Sequence, residues 1–238
     1  MIYVRSLFFN VFFLLWTILC SFFCFAMIPF GRLTVIKSAR GWGEGVRFLM
    51  RWILNITVEI RGRENLPEDR PVIVACKHQS AWETTYIQNL AFNSAVILKR
   101  ELVFIPIFGQ VLLAAGAIQI DRSKGKSVLP ELIKSAKKQM EGNRKIFIFP
   151  EGTRSMAGKP GRYKAGIFKL YEALNIPVVP MAHNAGYFWP RRGFLKKPGV
   201  IVVEILPQIE PGLPEVKFMK HLEKTIETSC AKIAPTNI

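Results

Sequence analysis

The chain has 238 residues, a formal net charge of +16, a hydrophobic fraction of 50% and four cysteines. A chain of this length can bury a core of its own. The cysteines form no C-x-x-C pair and have no regular spacing, which argues against a metal site and favours reduced cysteines in the core or the membrane. The positive charge attracts polyanions, and nucleic acid, anionic lipid and a phosphate-bearing substrate all qualify.

The N-terminal part of the chain is the most apolar. No charged residue lies between Arg5 and Arg32, and at roughly 1.5 Å per residue a helix over 7–30 would cover a hydrocarbon layer of about 30 Å. The run is longer than the roughly 7–15 residues of a signal-peptide core, which favours membrane anchoring over cleavage. Cations are more frequent after the run than before it, which places the rest of the protein in the cytoplasm.

Residues 33–55 mix apolar side chains with cations, as is typical of an amphipathic helix at a membrane interface. Gly41, Gly43 and Gly45 predict a break or bend in this helix. The sequence leaves open whether the first segment spans the bilayer or folds back beside the second in one leaflet.

A later run of cations is interpreted as a solvated face that adheres to anionic lipid: Arg191, Arg192, Lys196 and Lys197.

From residue 56 onward, short β-branched runs alternate with helical stretches. This pattern predicts one α/β domain over 56–238, preceded by an anchoring segment over 1–55. Because the runs are apolar, we expect a mixed, mostly buried β-sheet flanked by helices. The predicted strands cover 56–60, 72–76, 95–98, 117–120, 145–149, 178–181 and 200–206. The predicted helices cover 81–91, 128–141, 164–174 and 216–233, and the apolar stretch 102–115 is expected to be irregular.

His78 directly follows the strand predicted at 72–76, and Glu83 lies inside the helix that starts near Ser80. Residues that leave the carboxyl end of a strand in an open α/β sheet commonly line a crevice. One helical turn allows the Glu83 carboxylate to reach the imidazole, fix its tautomer and stabilise the imidazolium. The same segment also fits an S-x-x-E capping box, in which Glu83 would satisfy amides at the helix start. The two roles can coexist.

A second polar turn, at 149–155, follows another predicted strand. Gly152 permits close approach of the backbone, and Arg154 can present a planar guanidinium to a phosphate group. Lys99, at the end of a third strand, is a further candidate cation. The alternative for these two cations is an ordinary pair of surface ions. We interpret His183 as structural.

Four segments together resemble one known family. Residues 78–83 resemble the H-x4-D motif, and residues 151–154 the E-G-T-R motif, of the 1-acylglycerol-3-phosphate acyltransferase family of glycerolipid acyltransferases. Residues 116–122 and 176–180 are similar to its second and fourth blocks, in the same order along the chain. The resemblance implies a glycerolipid acyltransferase-like α/β fold with an N-terminal membrane helix or two-helix membrane motif. One departure is Glu83, which stands where the family has Asp.

The resemblance also implies a reaction. A fatty acyl group would move from acyl-CoA or acyl carrier protein to the sn-2 hydroxyl of lysophosphatidic acid, giving phosphatidic acid. His78 would be the general base, and Glu83 would hold its ring and balance its charge. The acceptor phosphate would be bound by the turn residues Glu151, Gly152, Thr153 and Arg154. Two more cations, Lys99 and Arg122, would bind the same phosphate. No metal or cofactor is expected, because the acyl donor is a co-substrate.

The expected partners are lysophosphatidic acid, acyl-CoA or acyl carrier protein, and membrane lipid, with no nucleic acid. The expected location is the bacterial inner membrane, with the catalytic domain on its cytoplasmic face. Two alternatives stay open: an acyltransferase for another lysolipid or for glycerol 3-phosphate, and a non-catalytic basic protein that binds anionic membrane. Nucleic-acid binding is disfavoured because no recognised RNA or DNA motif accompanies the charge.

Overall fold

The computed structural model describes residues 1–236, with the side chains of Arg122, Lys124 and Lys126 outside the described part. Within it, one sheet contains seven strands in the order β1-β7-β6-β2-β5-β3-β4. The strands are β1 Ile56–Arg61, β2 Ile73–Cys76, β3 Ser94–Lys99, β4 Ile118–Ile120, β5 Lys145–Ile148, β6 Val178–His183 and β7 Gly199–Ile205. All neighbouring strands are parallel except β6 and β7. The predicted mixed α/β sheet is therefore confirmed.

The helices are α1 Ile2–Ala26, α2 Arg32–Leu49, α3 Trp82–Thr85, α4 Ile87–Leu90, α5 Phe108–Ala114, α6 Leu129–Met140, α7 Gly166–Leu174, α8 Ala185–Phe188 and α9 Glu215–Lys232. The single helix predicted over 81–91 is in fact the two short helices α3 and α4. The hydroxyls of Thr84 and Thr85 donate to the carbonyls of Ala81 and Trp82, at 2.6 and 2.7 Å. These side-chain bonds compete with the regular helical ladder, which explains the interruption.

The sheet is covered on both faces. Side chains of β2 alternate between two apolar clusters: Ile73 and Ala75 join α6, α7 and α9 on one face, and Val74 and Cys76 join α1, α2 and α3 on the other. Because both faces of the sheet are covered, every residue of β2 and β5 is buried from solvent. It also leaves only the strand ends free to carry polar chemistry.

Helix α1 has 25 residues, and its most apolar window has a mean hydropathy of 2.2 with 11% of its residues buried. By length and composition this helix can cross a membrane. Its inner side packs on the domain, where Phe9 contacts Trp189 edge to face with ring centroids 5.1 Å apart. Most of its large apolar side chains remain exposed, which is consistent with membrane association.

Lys196 does not belong to a solvated face, and that prediction is wrong. Its side chain is buried, and its ammonium group donates to Asn10 Oδ1 at 2.6 Å and to the carbonyl of Phe194 at 2.9 Å. Burial lowers the pKa of Lys196 to about 8. A buried cation needs hydrogen-bond partners to offset its lost hydration. Since one of these partners is Asn10, Lys196 connects the loop before β7 to α1.

Helix α2 runs without interruption through its three glycines, so of the break or bend predicted near Gly41, Gly43 and Gly45 the break is wrong. A Cβ atom at Gly43 would overlap Asn89 and the Thr85 carbonyl, and one at Gly45 would overlap the indole of Trp16. Two of the glycines thus allow close packing of α2 against α1, α3 and α4. Gly41 faces open space.

Replacing Gly43 with alanine should destabilise the protein by about 1–3 kcal/mol, because the new methyl group overpacks the contact with α3 and α4. Gly41→Ala is the matched control, and it should stabilise the helix by up to about 1 kcal/mol through better helix propensity. The measurement is the thermal unfolding midpoint of the detergent-solubilised protein. Equal midpoints for the two variants would show that α2 does not pack as described.

Candidate active site

His78 and Glu83 form a hydrogen-bonded pair beyond the carboxyl end of β2. His78 Nδ1 lies 2.8 Å from Glu83 Oε1, and the backbone N–H groups of Gln79 and Ser80 donate to the same oxygen at 2.8 Å each. An ionised carboxylate can only accept hydrogen bonds, so Nδ1 carries the ring proton. The lone pair on Nε2 is then available to take a proton, as a general base requires.

Glu83 is fully buried and also holds the start of the helix. Burial raises the pKa of Glu83, but electrostatic attraction to the N–H groups of His183 and His78, the hydrogen bond from His78 and the Ser80 amide outweigh burial and hold that pKa below its usual value. Ser80 Oγ accepts from the N–H of Trp82 at 3.1 Å, while Glu83 bonds back to the Ser80 amide. Capping and orientation of the imidazole therefore coexist in one carboxylate.

His183 lies behind the pair at the end of β6. Its Nδ1 accepts the N–H of Ala185 at 3.2 Å, so the proton is on Nε2, which donates to the Lys77 carbonyl at 2.8 Å. Nε2 is also 3.9 Å from Glu83 Oε2. Burial lowers the pKa of His183, which keeps the ring neutral. These contacts agree with the structural interpretation of this residue.

The turn after β5 holds the main chain and the ring of His78. The N–H and Oγ of Ser155 donate to the His78 carbonyl at 2.8 and 3.2 Å, and Glu151 Oε1 accepts the His78 N–H at 3.1 Å. The imidazole stacks on Phe149 with ring centroids 3.9 Å apart. Two segments that are distant in sequence thus hold the backbone and the ring of His78 together.

His78 opens onto a cavity of about 510 Å³. No Asp or Glu among the described residues lines this cavity. Its polar lining contains His78, the turn residues Gly152 and Thr153, and four cations, namely Lys99, Arg154, Arg191 and Arg192. Its apolar lining comes from β3, the stretch 102–115 and α1, and includes Val96, Leu98, Leu102, Val111, Leu112, Cys20 and Cys24. A basic, half-apolar cavity suits a ligand that combines an anionic group with a hydrocarbon chain.

Arg154 has the clearest unused binding capacity in the cavity. Its Nε is buried and has no hydrogen-bond partner within residues 1–236. A buried donor without a partner is costly, so an acceptor from a ligand would stabilise it. Arg191 donates a hydrogen bond to the Arg154 carbonyl and lines the same cavity. Arg191 is exposed, as predicted for a solvated face, and it also lines the cavity, which a run of cations in a sequence does not indicate.

The other predicted phosphate ligands lie in different surroundings. Lys99 is exposed at the end of β3 and lines the cavity, as do Gly152 and Thr153. Glu151 is buried beneath the turn and does not appear in the cavity lining; its described contacts are with Lys77 and the His78 backbone. The side chain of Arg122 lies outside the described part of the structure.

Comparison with known proteins identifies the family. A family model described as "Acyltransferase" matches residues 57–184. A 1-acyl-sn-glycerol-3-phosphate acyltransferase of Pseudomonas aeruginosa is 37% identical over 219 residues, which cover 90% of this chain and 84% of the relative. An enzyme of the same name from Cocos nucifera is 27% identical over 83% of this chain and 63% of its own length.

The fold is shared with a solved structure. The crystal structure of the 1-acyl-sn-glycerophosphate acyltransferase PlsC from Thermotoga maritima matches 98% of this chain and 99% of its own, with a TM-score of 0.80 and 22% identity. The family model covers more than half of the chain and includes both motif segments. The chain therefore belongs to the 1-acyl-sn-glycerol-3-phosphate acyltransferase family of glycerolipid acyltransferases.

Proposed function

We propose that the protein transfers a fatty acyl group from acyl-CoA or acyl carrier protein to the sn-2 hydroxyl of lysophosphatidic acid, forming phosphatidic acid. The observation that carries the proposal is that His78, hydrogen-bonded to Glu83, lines the same cavity as Arg154. The related proteins are named for acyl transfer to 1-acyl-sn-glycerol 3-phosphate, which supports this acceptor. The acyl donor is a co-substrate, and the proposal includes no resident cofactor or metal.

In the proposed reaction, His78 Nε2 takes the proton of the sn-2 hydroxyl while that oxygen attacks the thioester carbon. The imidazolium that forms is stabilised by the Glu83 carboxylate, 2.8 Å from Nδ1. The tetrahedral intermediate then collapses, the C–S bond breaks, and the leaving thiolate takes the proton back from Nε2. General-base assistance of this kind accelerates a reaction by roughly 10²–10⁴-fold. No covalent acyl-enzyme is needed.

Arg154 is the proposed main ligand of the acceptor phosphate, with Lys99 as a second cation. Arg154 can bind two phosphate oxygens with its planar fork, and its buried Nε would gain the acceptor it lacks. Gly152 and Thr153 shape the cavity wall beside it, and Arg122 is proposed as a further cation. Holding the phosphate keeps the hydroxyl near Nε2, which turns a collision into a positioned attack. Glu151 acts indirectly, through the backbone of His78.

We further propose that residues 1–55 anchor the enzyme on the bacterial inner membrane with the catalytic domain facing the cytoplasm. The exposed apolar surface of α1 and the cations of α2 support this placement. Residues of α1 also line the cavity, so an acyl chain that leaves the bilayer has a short apolar path to His78. Both substrates and the product carry hydrocarbon chains, which makes a site beside the membrane useful.

Replacing His78 with alanine should lower the turnover of lysophosphatidic acid by roughly 10²–10⁴-fold, because the general base is lost. His221→Ala is the matched control, since this histidine is exposed on α9, and it should leave turnover unchanged. The assay uses purified protein in detergent with acyl-CoA and acyl carrier protein as donors and a panel of lysolipids and glycerol 3-phosphate as acceptors. Near-normal turnover by folded His78→Ala protein would reject the base, and a preference for another acceptor would reject the substrate.

Arg154→Ala should raise the KM for lysophosphatidic acid about 10- to 100-fold, because a hydrogen bond to a charged group contributes roughly 1.5–3 kcal/mol. Arg162→Ala is the matched control, because Arg162 is exposed on the same loop and does not line the cavity. With monoacylglycerol, which lacks the phosphate, wild type and Arg154→Ala should have similar kinetics. An unchanged KM for lysophosphatidic acid, or an equal effect with monoacylglycerol, would place the phosphate elsewhere.

A further inference from the structure

The C-terminal helix α9 lies outside the residues matched by the family model, yet it reaches the segment that carries His78. Glu227 of α9 forms an ion pair with Lys77, and Glu227 Oε1 lies 2.6 Å from Lys77 Nζ. Lys77 immediately precedes the catalytic base. This contact is the first link between α9 and the site.

Lys77 is an unusual lysine because its side chain has no exposed surface. A buried ammonium group is tolerated only when it is paired and hydrogen-bonded. Lys77 Nζ has two carboxylate partners: Glu227 at 2.6 Å and Glu151 at 3.3 Å. The hydroxyl of Tyr163 donates to the same Glu227 oxygen at 3.0 Å, which fixes the orientation of that carboxylate.

Glu151 connects this ion cluster to the base. Its Oε1 is shared between Lys77 Nζ, at 3.3 Å, and the backbone N–H of His78, at 3.1 Å. Its Oε2 is buried without a hydrogen-bond partner in the described chain, so Lys77 and His78 are what set the position of this carboxylate. With Glu227 as the closer partner of Lys77, Glu151 Oε1 remains available to His78.

We propose that Glu227 is a positioning residue for the catalytic base, acting through Lys77 and Glu151. If the charge of Glu227 is removed, the Lys77 ammonium has Glu151 as its remaining anionic partner and draws Oε1 away from the His78 N–H. The backbone of His78 then loses the hydrogen bond from its N–H and keeps the two that Ser155 donates to its carbonyl. As a result, Nε2 shifts relative to the acceptor hydroxyl. Substrate binding through Arg154 is unaffected, so the loss appears in kcat. This inference rests on the proposed function.

The test is Glu227→Gln, which keeps the shape of the side chain and removes its charge. The matched control is Glu223→Gln, at an exposed position one helical turn earlier on α9. Glu227→Gln should lower kcat about tenfold, since a small misplacement of a reacting group has effects of this order or larger, with the KM for lysophosphatidic acid within about twofold of wild type. Glu223→Gln should match wild type in both. Rates are normalised to folded protein, and thermal midpoints are measured alongside.

Two milder variants keep the test decisive if Glu227→Gln folds poorly. Glu227→Asp retains the charge and should recover most of kcat, whereas Tyr163→Phe removes one hydrogen bond to Glu227 and should lower kcat by a smaller factor at unchanged KM. A changed thermal midpoint with wild-type kcat in the folded fraction would show a merely structural role and overturn the inference. A wild-type enzyme that is inactive on lysophosphatidic acid would instead overturn the proposed function.

Discussion

The hydrogen bond between Glu83 and His78 is the contact on which the rest of the site depends. The carboxylate is buried, so it must be fully bonded, and His78 Nδ1–H and the amides of Gln79 and Ser80 supply that bonding. The same bonds form the helix start and fix the ring. The orientation of the His78 ring therefore cannot be separated from the local fold, and a glutamate holds this ring at the position where the H-x4-D motif has an aspartate.

The sheet explains how segments distant in sequence meet around this pair. Strands β6, β2, β5 and β3 are consecutive neighbours, and the carboxyl ends of parallel strands lie at one edge of a sheet. His183 ends β6, His78 follows β2, the turn with Arg154 follows β5, and Lys99 ends β3. The strand order thus brings His78, Lys99 and Arg154 to one cavity, while α1, α2 and α5 add much of its apolar side.

Much of this could be predicted from sequence. Strands buried on both faces leave β-branched apolar runs, and each such run is a strand in the structure, with ends within two residues of the prediction. The His78 and Arg154 segments were recognisable because their spacing and order resemble one family. Features that depend on tertiary contacts have no recognisable pattern in the sequence. Lys196 and Lys77 are buried, and Gly43 packs against neighbouring helices instead of breaking its own. Glu227 contacts Lys77 although the two residues are 150 positions apart.

The proposed base role of His78 is tested by the tautomer of its neutral ring. The 15N chemical shifts of the imidazole in 15N-histidine-labelled protein report this tautomer. His78→Ala assigns the signals, and His183 is an internal reference with its proton on Nε2, because its Nδ1 accepts the Ala185 amide. If Glu83 accepts a hydrogen bond from the ring, the proton of His78 is on Nδ1, facing Glu83, and Nε2 is unprotonated. A proton on Nε2 of neutral His78 would contradict the base role, since that nitrogen could not then accept the proton of the substrate hydroxyl.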